Sequence, residues 1–481
     1  MQKTQIAGYE IQETLHNNRK GTIYRANRLA DNTSVILKTL QNYPSPRDIA
    51  RVKKEYEVLQ GTHSPGIVQV LELKMEDQSP ILVMQDTHGK SLAKLLKERE
   101  FGLQEKIEIA LKLSQAIENI HQQEIIHLDI KPANSIYNTN SKEITIIDFG
   151  ISTKLSRENP SIASPDKLEG TLAYLSPEQT GRMNRSIDYR ADFYSLGITL
   201  YELFTGKLPF YSKDSMEMVH FHIAVEPKTA YQNSPNIPKA ISNIIQKLMN
   251  KKAEDRYQGA YGICHDFHRC LELLKVGELE STTFTLATRD ISEKFQIPQK
   301  LYGREKEIKK LLASFNRISN GSRELMIVKG YSGIGKSALV NEIHKPVVEK
   351  RGYFISGKFD QFKKDIPYSA IILAFQDLIR QLLTETEDKI DIWKTRILQA
   401  VGNNGQIIID IIPEIEYIIG KQPAVAELGP SESQNRFNLV FKEFIKVFTA
   451  PEHPLVLFID DMQWADSASL KFTENILSDG E

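Results

Sequence analysis

Residues 127–134 read His-Leu-Asp-Ile-Lys-Pro-Ala-Asn, and Asp148-Phe149-Gly150 follows fourteen residues after Asn134. These side chains suit phosphoryl transfer, which needs a group to orient a hydroxyl, a cation to offset charge and ligands for magnesium. Asp129 is expected to accept the proton of an acceptor hydroxyl and Lys131 to offset charge on the moving phosphoryl group. Asn134 and Asp148 are expected to hold metal ions. A second set lies far downstream. Residues 330–337, Gly-Tyr-Ser-Gly-Ile-Gly-Lys-Ser, have the full P-loop spacing. Gly330, Gly333 and Gly335 let backbone N–H groups wrap phosphates, Lys336 reaches the β- and γ-phosphates, and Ser337 offers a hydroxyl to magnesium. The apolar run Leu455–Ile459 ends in Asp460 and Asp461, one to hold the metal's water shell and the other to polarise a water.

These groups need elements to carry them. Strand-like runs come first, at Tyr9–Thr14, Thr22–Arg28, Ser34–Thr39 and Ile81–Gln85. Helical periodicity follows at Asp48–Gln60, Leu103–Gln122 and Ser195–Thr205. A small β-rich part thus precedes a larger helical one. Residues 273–300 carry few large apolar side chains and no helical period, as in a linker with an extended stretch. Leu325–Val328 reads as a buried strand leading into the P-loop, with a helix from Ser337 to Lys350 after it.

Together, the 127–134 and 148–150 motifs resemble a eukaryotic-type protein kinase, and Lys131 favours the Ser/Thr branch. The resemblance implies an α+β bilobal kinase fold over residues 1–272, a linker over 273–300, and an α/β P-loop ATPase domain over 301–481. It implies ATP and Mg2+ as cofactors, with protein Ser/Thr hydroxyls as acceptors. Lys38 would meet the α- and β-phosphates, and Glu55 would pair with it, Glu57 being the competing assignment. Leu15, Gly21 and Ile23 would line the nucleotide, and Met84 and Asp86 would belong to the segment that receives adenine. Glu178 in Ser176-Pro177-Glu178 would form a buried ion pair with Arg256; a solvated Arg256 is the alternative. Gly357–Phe362, Ile366–Tyr368 and Phe295–Lys300 are similar to segments of large bacterial, notably cyanobacterial, proteins that join a Ser/Thr kinase to a STAND-type or AAA-like ATPase. In those proteins GAF-type and histidine-kinase modules follow, so such modules are expected partners. About twenty residues follow Asp461, where a P-loop sheet normally continues. The expectation is therefore a C-terminally truncated, incomplete domain with an exposed sheet edge, binding nucleotide weakly.

Two departures bear on activity. Counting back from Ile23, the three glycine positions over the phosphates hold His16, Asn18 and Gly21. Glycine there allows close backbone approach, so ATP is expected to bind loosely. Leu128 stands where many kinases carry an Arg that pairs with a phosphorylated loop residue. Phosphorylation at Ser152, Thr153, Ser156, Ser161 or Ser164 is therefore not expected to be the main switch. The rival reading is a pseudokinase scaffold that senses nucleotide without transferring phosphate.

Composition sets outer limits. A chain of 481 residues with 41% hydrophobic and 26% charged residues suits about three globular domains. A net charge of -1 offers no pull toward nucleic acid or an anionic membrane. Two cysteines cannot make a disulfide framework and suit a reducing compartment. The longest apolar run, Ile407–Ile419, is broken by Asp410, Pro413, Glu414 and Glu416, so a soluble, cytoplasmic protein is expected. Cys264, His265, His268 and Cys270 have metal-ligand chemistry, but one helix cannot wrap four ligands around zinc.

Overall fold

The computed structural model describes residues 6–18, 21–41, 44–76, 79–154, 172–180, 187–281, 283–290, 303–331, 334–350, 352–359, 367–383, 387–426, 428–449 and 453–478. Five strands open the chain: β1 (Tyr9–Asn18), β2 (Gly21–Arg28), β3 (Ser34–Leu40), β4 (Val70–Glu76) and β5 (Ser79–Gln85). They form one antiparallel sheet in the order β1-β2-β3-β5-β4. The β2–β3 contact is so close that a Cβ on Gly21 would lie 2.0 Å from the Thr39 carbonyl oxygen. Gly21 is thus fixed by sheet packing as well as by any phosphate.

Helix α1 (Pro46–Leu59) crosses this sheet between β3 and β4. Ser45 caps it by accepting from the Asp48 N–H, and Pro46 sits in the first turn, where its missing N–H costs nothing. The next part is mainly helical. It holds α2 (Leu92–Glu98), α3 (Leu103–Gln122), α4 (Arg190–Thr205), α5 (Ser215–Ala224), α6 (Ala230–Asn233), α7 (Lys239–Leu248) and α8 (Ala260–Val276). Short strands β6 (Lys90–Ser91), β8 (Ser135–Asn138) and β9 (Glu143–Ile146) pair antiparallel, as do β7 (Ile125–Ile126) and β10 (Thr153–Lys154). One continuous apolar core joins α3, α4, α7 and α8 with the inner face of α1.

Residues 278–281 and 283–290 return along α8. The Arg269 guanidinium lies 4.4 Å from the centre of the Phe284 ring and donates to the Thr285 carbonyl. The Asp290 carboxylate accepts from the Gln258 and Gly259 N–H groups at the start of α8. The described residues 278–281 and 283–290 of the stretch read as a linker are therefore strapped to the helical part.

The C-terminal part is predominantly α-helical. It comprises α9 (Glu305–Ile318), α10 (Lys336–Asn341), α11 (His344–Glu349), β11 (Tyr353–Lys358), α12 (Ser369–Leu382), α13 (Glu387–Val401), α14 (Gly405–Ile411), α15 (Glu416–Ile419), α16 (Pro430–Lys446), β12 (Leu455–Asp460) and α17 (Ser467–Ser478). β11 and β12 pair in parallel from Tyr353↔Leu455 to Lys358↔Asp460. Phe375, Phe441, Phe444 and Phe448 fill the core beside them.

Two expectations for this part need correction. Leu325–Val328 is not a strand: no strand among the described residues pairs with it, and Leu325 and Ile327 are 63% and 67% exposed. An extended run without a hydrogen-bonding neighbour gains nothing from β geometry. The helix read as Ser337–Lys350 is two helices, α10 and α11. Pro346 lacks the N–H that a continuous helix would use there and crowds the preceding turn, which breaks the run near Ile343.

Candidate active site

The centre of the N-terminal site is the Lys38 ammonium, which lies 2.7 Å from Glu55 Oε2 and 2.8 Å from Asp148 Oδ1. Three elements meet there: β3 brings Lys38, α1 brings Glu55, and the turn after β9 brings Asp148. Glu55 is buried, and its other oxygen accepts from the Phe149 N–H at 3.2 Å. Glu57 is exposed, which decides between the two glutamates. Burial alone would lower the Lys38 pKa, but the Glu55 and Asp148 charges outweigh it and hold it well above its ordinary value. The Lys38 charge in turn holds Asp148 far below the usual carboxylate range. Burial pushes Glu55 up against the pull of Lys38.

The loop after β7 is pinned from below. Asp192, fully buried in the first turn of α4, accepts from the His127 N–H at 2.9 Å, the Leu128 N–H at 2.7 Å and His121 Nε2 at 2.9 Å. His127 Nδ1 accepts from the Asp129 N–H, and its Nε2 faces the Ile147 carbonyl at 3.1 Å, which fits the tautomer protonated on Nε2. Leu128 and Asp148 sit at φ +66° and +70°, a region that costs a non-glycine residue energy and is held here by these contacts.

On that loop, Asp129 Oδ2 accepts from Lys131 at 2.7 Å and from Asn134 Nδ2 at 2.9 Å. Asp129 Oδ1 is buried with no hydrogen-bond partner among the described residues. An acceptor left open in this way suits an incoming hydroxyl. Burial raises the Asp129 pKa, with Lys131 opposing. The Asn134 amide nitrogen is committed to Asp129, so its oxygen is the atom suited to a cation, as are the Asp148 oxygens. These donors fit magnesium.

Of the residues expected around the nucleotide, Met84 is buried on β5 opposite Ile36. Ile23 pairs with Lys38 across β2 and β3, while Leu15 lies at an irregularity in β1 and is 39% exposed. The Asp86 carboxylate is consumed elsewhere: it accepts from Arg25 Nε, Ser34 Oγ and the His88 N–H, at 2.7 to 2.8 Å. Any contribution of Asp86 to adenine is therefore through its backbone. Of the five loop hydroxyls, Ser152 is fully buried and donates to the Phe149 carbonyl, so it is not an accessible phosphorylation site. Thr153 is in β10, and Ser156, Ser161 and Ser164 lie outside the described residues.

Glu178 and Arg256 form the expected pair, at 2.6 and 2.9 Å. Gln179 Nε2 donates to the Leu128 carbonyl, tying this segment to the Asp129 loop. The sequence carried no signal for that link, nor for Asp290. Cys264 and Cys270 are both buried, and no group of three His, Cys, Asp or Glu side chains placed to hold a metal ion occurs among the described residues.

In the second site, Ser337 Oγ donates to Asp460 Oδ2 at 3.1 Å, across 123 residues. These two oxygens, from the start of α10 and the end of β12, fit a shared magnesium ion. Gly335 takes φ +89°, which only glycine adopts at low cost, and turns the chain into α10. The Lys336 ammonium donates to the Gly330 and Tyr331 carbonyls, so phosphate would have to draw it away. Asp461 pairs with Lys358 at 3.3 Å and accepts from Gln463. Gly333 lies outside the described residues.

The comparisons agree with this geometry. The protein kinase domain model matches residues 9–268, and the AAA ATPase domain model matches residues 300–481. The chain is 39% identical over 330 residues to hybrid signal transduction histidine kinase G of Dictyostelium discoideum, covering 64% of this chain and 9% of that protein. It is 25% identical over 441 residues to histidine protein kinase 1 of Candida albicans, covering 81% of this chain and 18% of that one. A probable serine/threonine-protein kinase of Clostridium perfringens is 33% identical over 267 residues, 54% of this chain and 38% of the relative. The chain thus spans well under half the length of each of these relatives. No helix among the described residues is long and apolar enough to cross a membrane. With the protein kinase domain model matching more than half of its length, the chain belongs to the protein kinase family, and an AAA ATPase module is fused behind the kinase domain.

Proposed function

We propose that the chain is a Ser/Thr protein kinase that transfers the γ-phosphoryl group of ATP to protein hydroxyls. The observation that carries this reading is Lys38 held between Glu55 and Asp148 while Asp129 Oδ1 stays open for a hydroxyl. Asp129 orients the acceptor alcohol and takes its proton, while Lys131 offsets charge as the phosphoryl group moves. Lys38 fixes the α- and β-phosphates; Leu15, Gly21, Ile23, Met84 and the backbone at Asp86 surround the rest of the nucleotide. Magnesium, when held by Asn134 and Asp148, neutralises phosphate charge. Similarity to serine/threonine-protein kinases of Clostridium perfringens and Bacillus subtilis supports the acceptor class.

The AAA-like part is proposed to bind ATP with magnesium through Gly330, Gly333, Gly335, Lys336, Ser337 and Asp460, with Asp461 near any attacking water. The names of the Dictyostelium and Candida relatives favour histidine-kinase modules as signalling partners. Incubating the chain with γ-labelled ATP and peptides that differ only in Ser, Thr or Tyr tests the reading. Label on Ser and Thr peptides and not on Tyr is expected. Nucleotide binding with no label on any peptide would instead favour the scaffold reading, for which the missing glycines at His16 and Asn18 speak.

A further inference from the structure

We propose that the AAA-like module is a positioning element for the kinase. It grips α5 and thereby holds in place the segment Leu172–Thr180, which adjoins the Asp129 loop. This deepens the kinase reading by naming a control on the same site, and it rests on that reading for its catalytic consequence alone.

The grip has four parts. Val348 of α11 is buried against Val219 and Ile223 of α5, with Leu172 packed on the same cluster. His220 Nδ1 lies 2.8 Å from the Val348 carbonyl oxygen. Asp214, which caps α5 by accepting from the Met216 and Glu217 N–H groups, forms an ion pair with Lys389 of α13. Met216 packs on the core of the AAA-like module itself.

The far side of α5 leads to the acceptor side of the kinase site. Leu172 begins a short 3-10 turn (Leu172–Tyr174), and α5 packs on it and on the next turn, Pro177–Thr180. The Tyr174 carbonyl accepts from Ser195 on α4, and Gln179 donates to the Leu128 carbonyl, next to Asp129. Leu172 therefore has apolar cover that is partly supplied by another domain. The remaining contacts run from it to the loop that carries the acceptor-orienting carboxylate. Removing the cover loosens the segment. The connection to the P-loop is equally short: α11 begins three residues after α10 ends, and α10 begins at Lys336.

Hydrogen exchange on the full chain tests this without assuming phosphotransfer. Val348→Asp puts a charge in the apolar contact. Amides of residues 172–180 are expected to exchange at least about tenfold faster, a loss of about 1.4 kcal/mol of protection. Protection in β11 and β12 should persist, showing that the AAA-like module stays folded. Val219→Lys combined with Val348→Asp should restore slow exchange by pairing the charges. In the same proteins, the KM for a peptide acceptor should rise about fivefold or more in Val348→Asp, with the KM for ATP within about twofold of the parent. Unchanged exchange at 172–180 in Val348→Asp, with β11 and β12 intact, would overturn the proposal. If Val348→Asp unfolds β11 and β12, Lys389→Glu becomes the deciding variant, and unchanged exchange at 172–180 there would overturn it likewise. Faster exchange without phosphotransfer in the parent chain would leave the grip standing and refute only the kinase reading.

Discussion

Glu178 and Arg256, 78 residues apart in sequence, form a two-pronged ion pair in which the arginine side chain is wholly inaccessible to solvent. Every guanidinium donor is used: the remaining ones reach the Asn250, Lys251 and Arg190 carbonyls. The pair ties the turn Pro177–Thr180 to the chain between α7 and α8, and Arg256 also reaches the first residue of α4. Arg256→Ala leaves a buried, uncompensated carboxylate and is expected to cost about 3–5 kcal/mol of kinase-domain stability in urea unfolding. The double change Glu178→Leu with Arg256→Met should recover much of it. Burial opposes the Glu178 charge, but Arg256 outweighs it, so the folded pKa is lowered. Its contribution is therefore present above the unfolded carboxylate pKa and lost as pH falls through the folded one.

His222 gives a second pH dependence, of a different origin. It is fully buried against Tyr194, and burial together with the Lys251 charge lowers its pKa to about 3. The unfolded chain binds a proton near pH 6.5 that the folded chain refuses. Stability should fall from there toward the folded value, with a slope of up to about 1.4 kcal/mol per pH unit. Melting temperatures of the parent and His222→Gln between pH 7 and pH 5 check this; the variant should show the shallower decline.

Gly357 tests the packing of the second domain. A Cβ there would lie 1.9 Å from the Ala370 carbonyl oxygen, where α12 starts against β11. Backbone cannot step aside as a side-chain tip can. Gly357→Ala is expected to destabilise the AAA-like module by about 1–3 kcal/mol, seen as an earlier melting of that part alone.

The Lys38 cluster should separate charge from shape. Lys38→Met removes the cation that both carboxylates hold, and kcat/KM for ATP should drop about a hundredfold or more. Glu55→Gln keeps a hydrogen-bonding side chain while losing its charge, and a loss of about tenfold is expected. Steady-state kinetics at varied ATP measure both.

Much of the kinase site was legible because it is built from motifs that are local in sequence. His127–Asn134 and Asp148–Gly150 each fix their own backbone, so spacing alone names Asp129, Lys131, Asn134 and Asp148. Helix Leu103–Gln122 was readable from its apolar period, since one face packs on the core. What escaped depended on long-range partners. Leu325–Val328 has the composition of a strand, but composition does not supply the neighbouring strand that β geometry needs. The burial of Ser152 was not legible, because it is set by the turn around Phe149 and not by the serine itself. The engagement of the Asp86 carboxylate also left no local mark, since Arg25 and Ser34, which claim it, are distant in sequence. The His220–Val348 contact joins two domains and leaves no mark in either local pattern.

The most direct test of the central claim is phosphotransfer by Asp129→Asn, with ATP affinity measured on the same protein. The open Asp129 Oδ1 is the acceptor proposed for the substrate hydroxyl, while Lys38, Glu55 and Asp148 remain untouched. Transfer to a Ser peptide should fall by about a hundredfold or more, with ATP binding within about twofold of the parent. Parental transfer rates in Asp129→Asn would contradict the account.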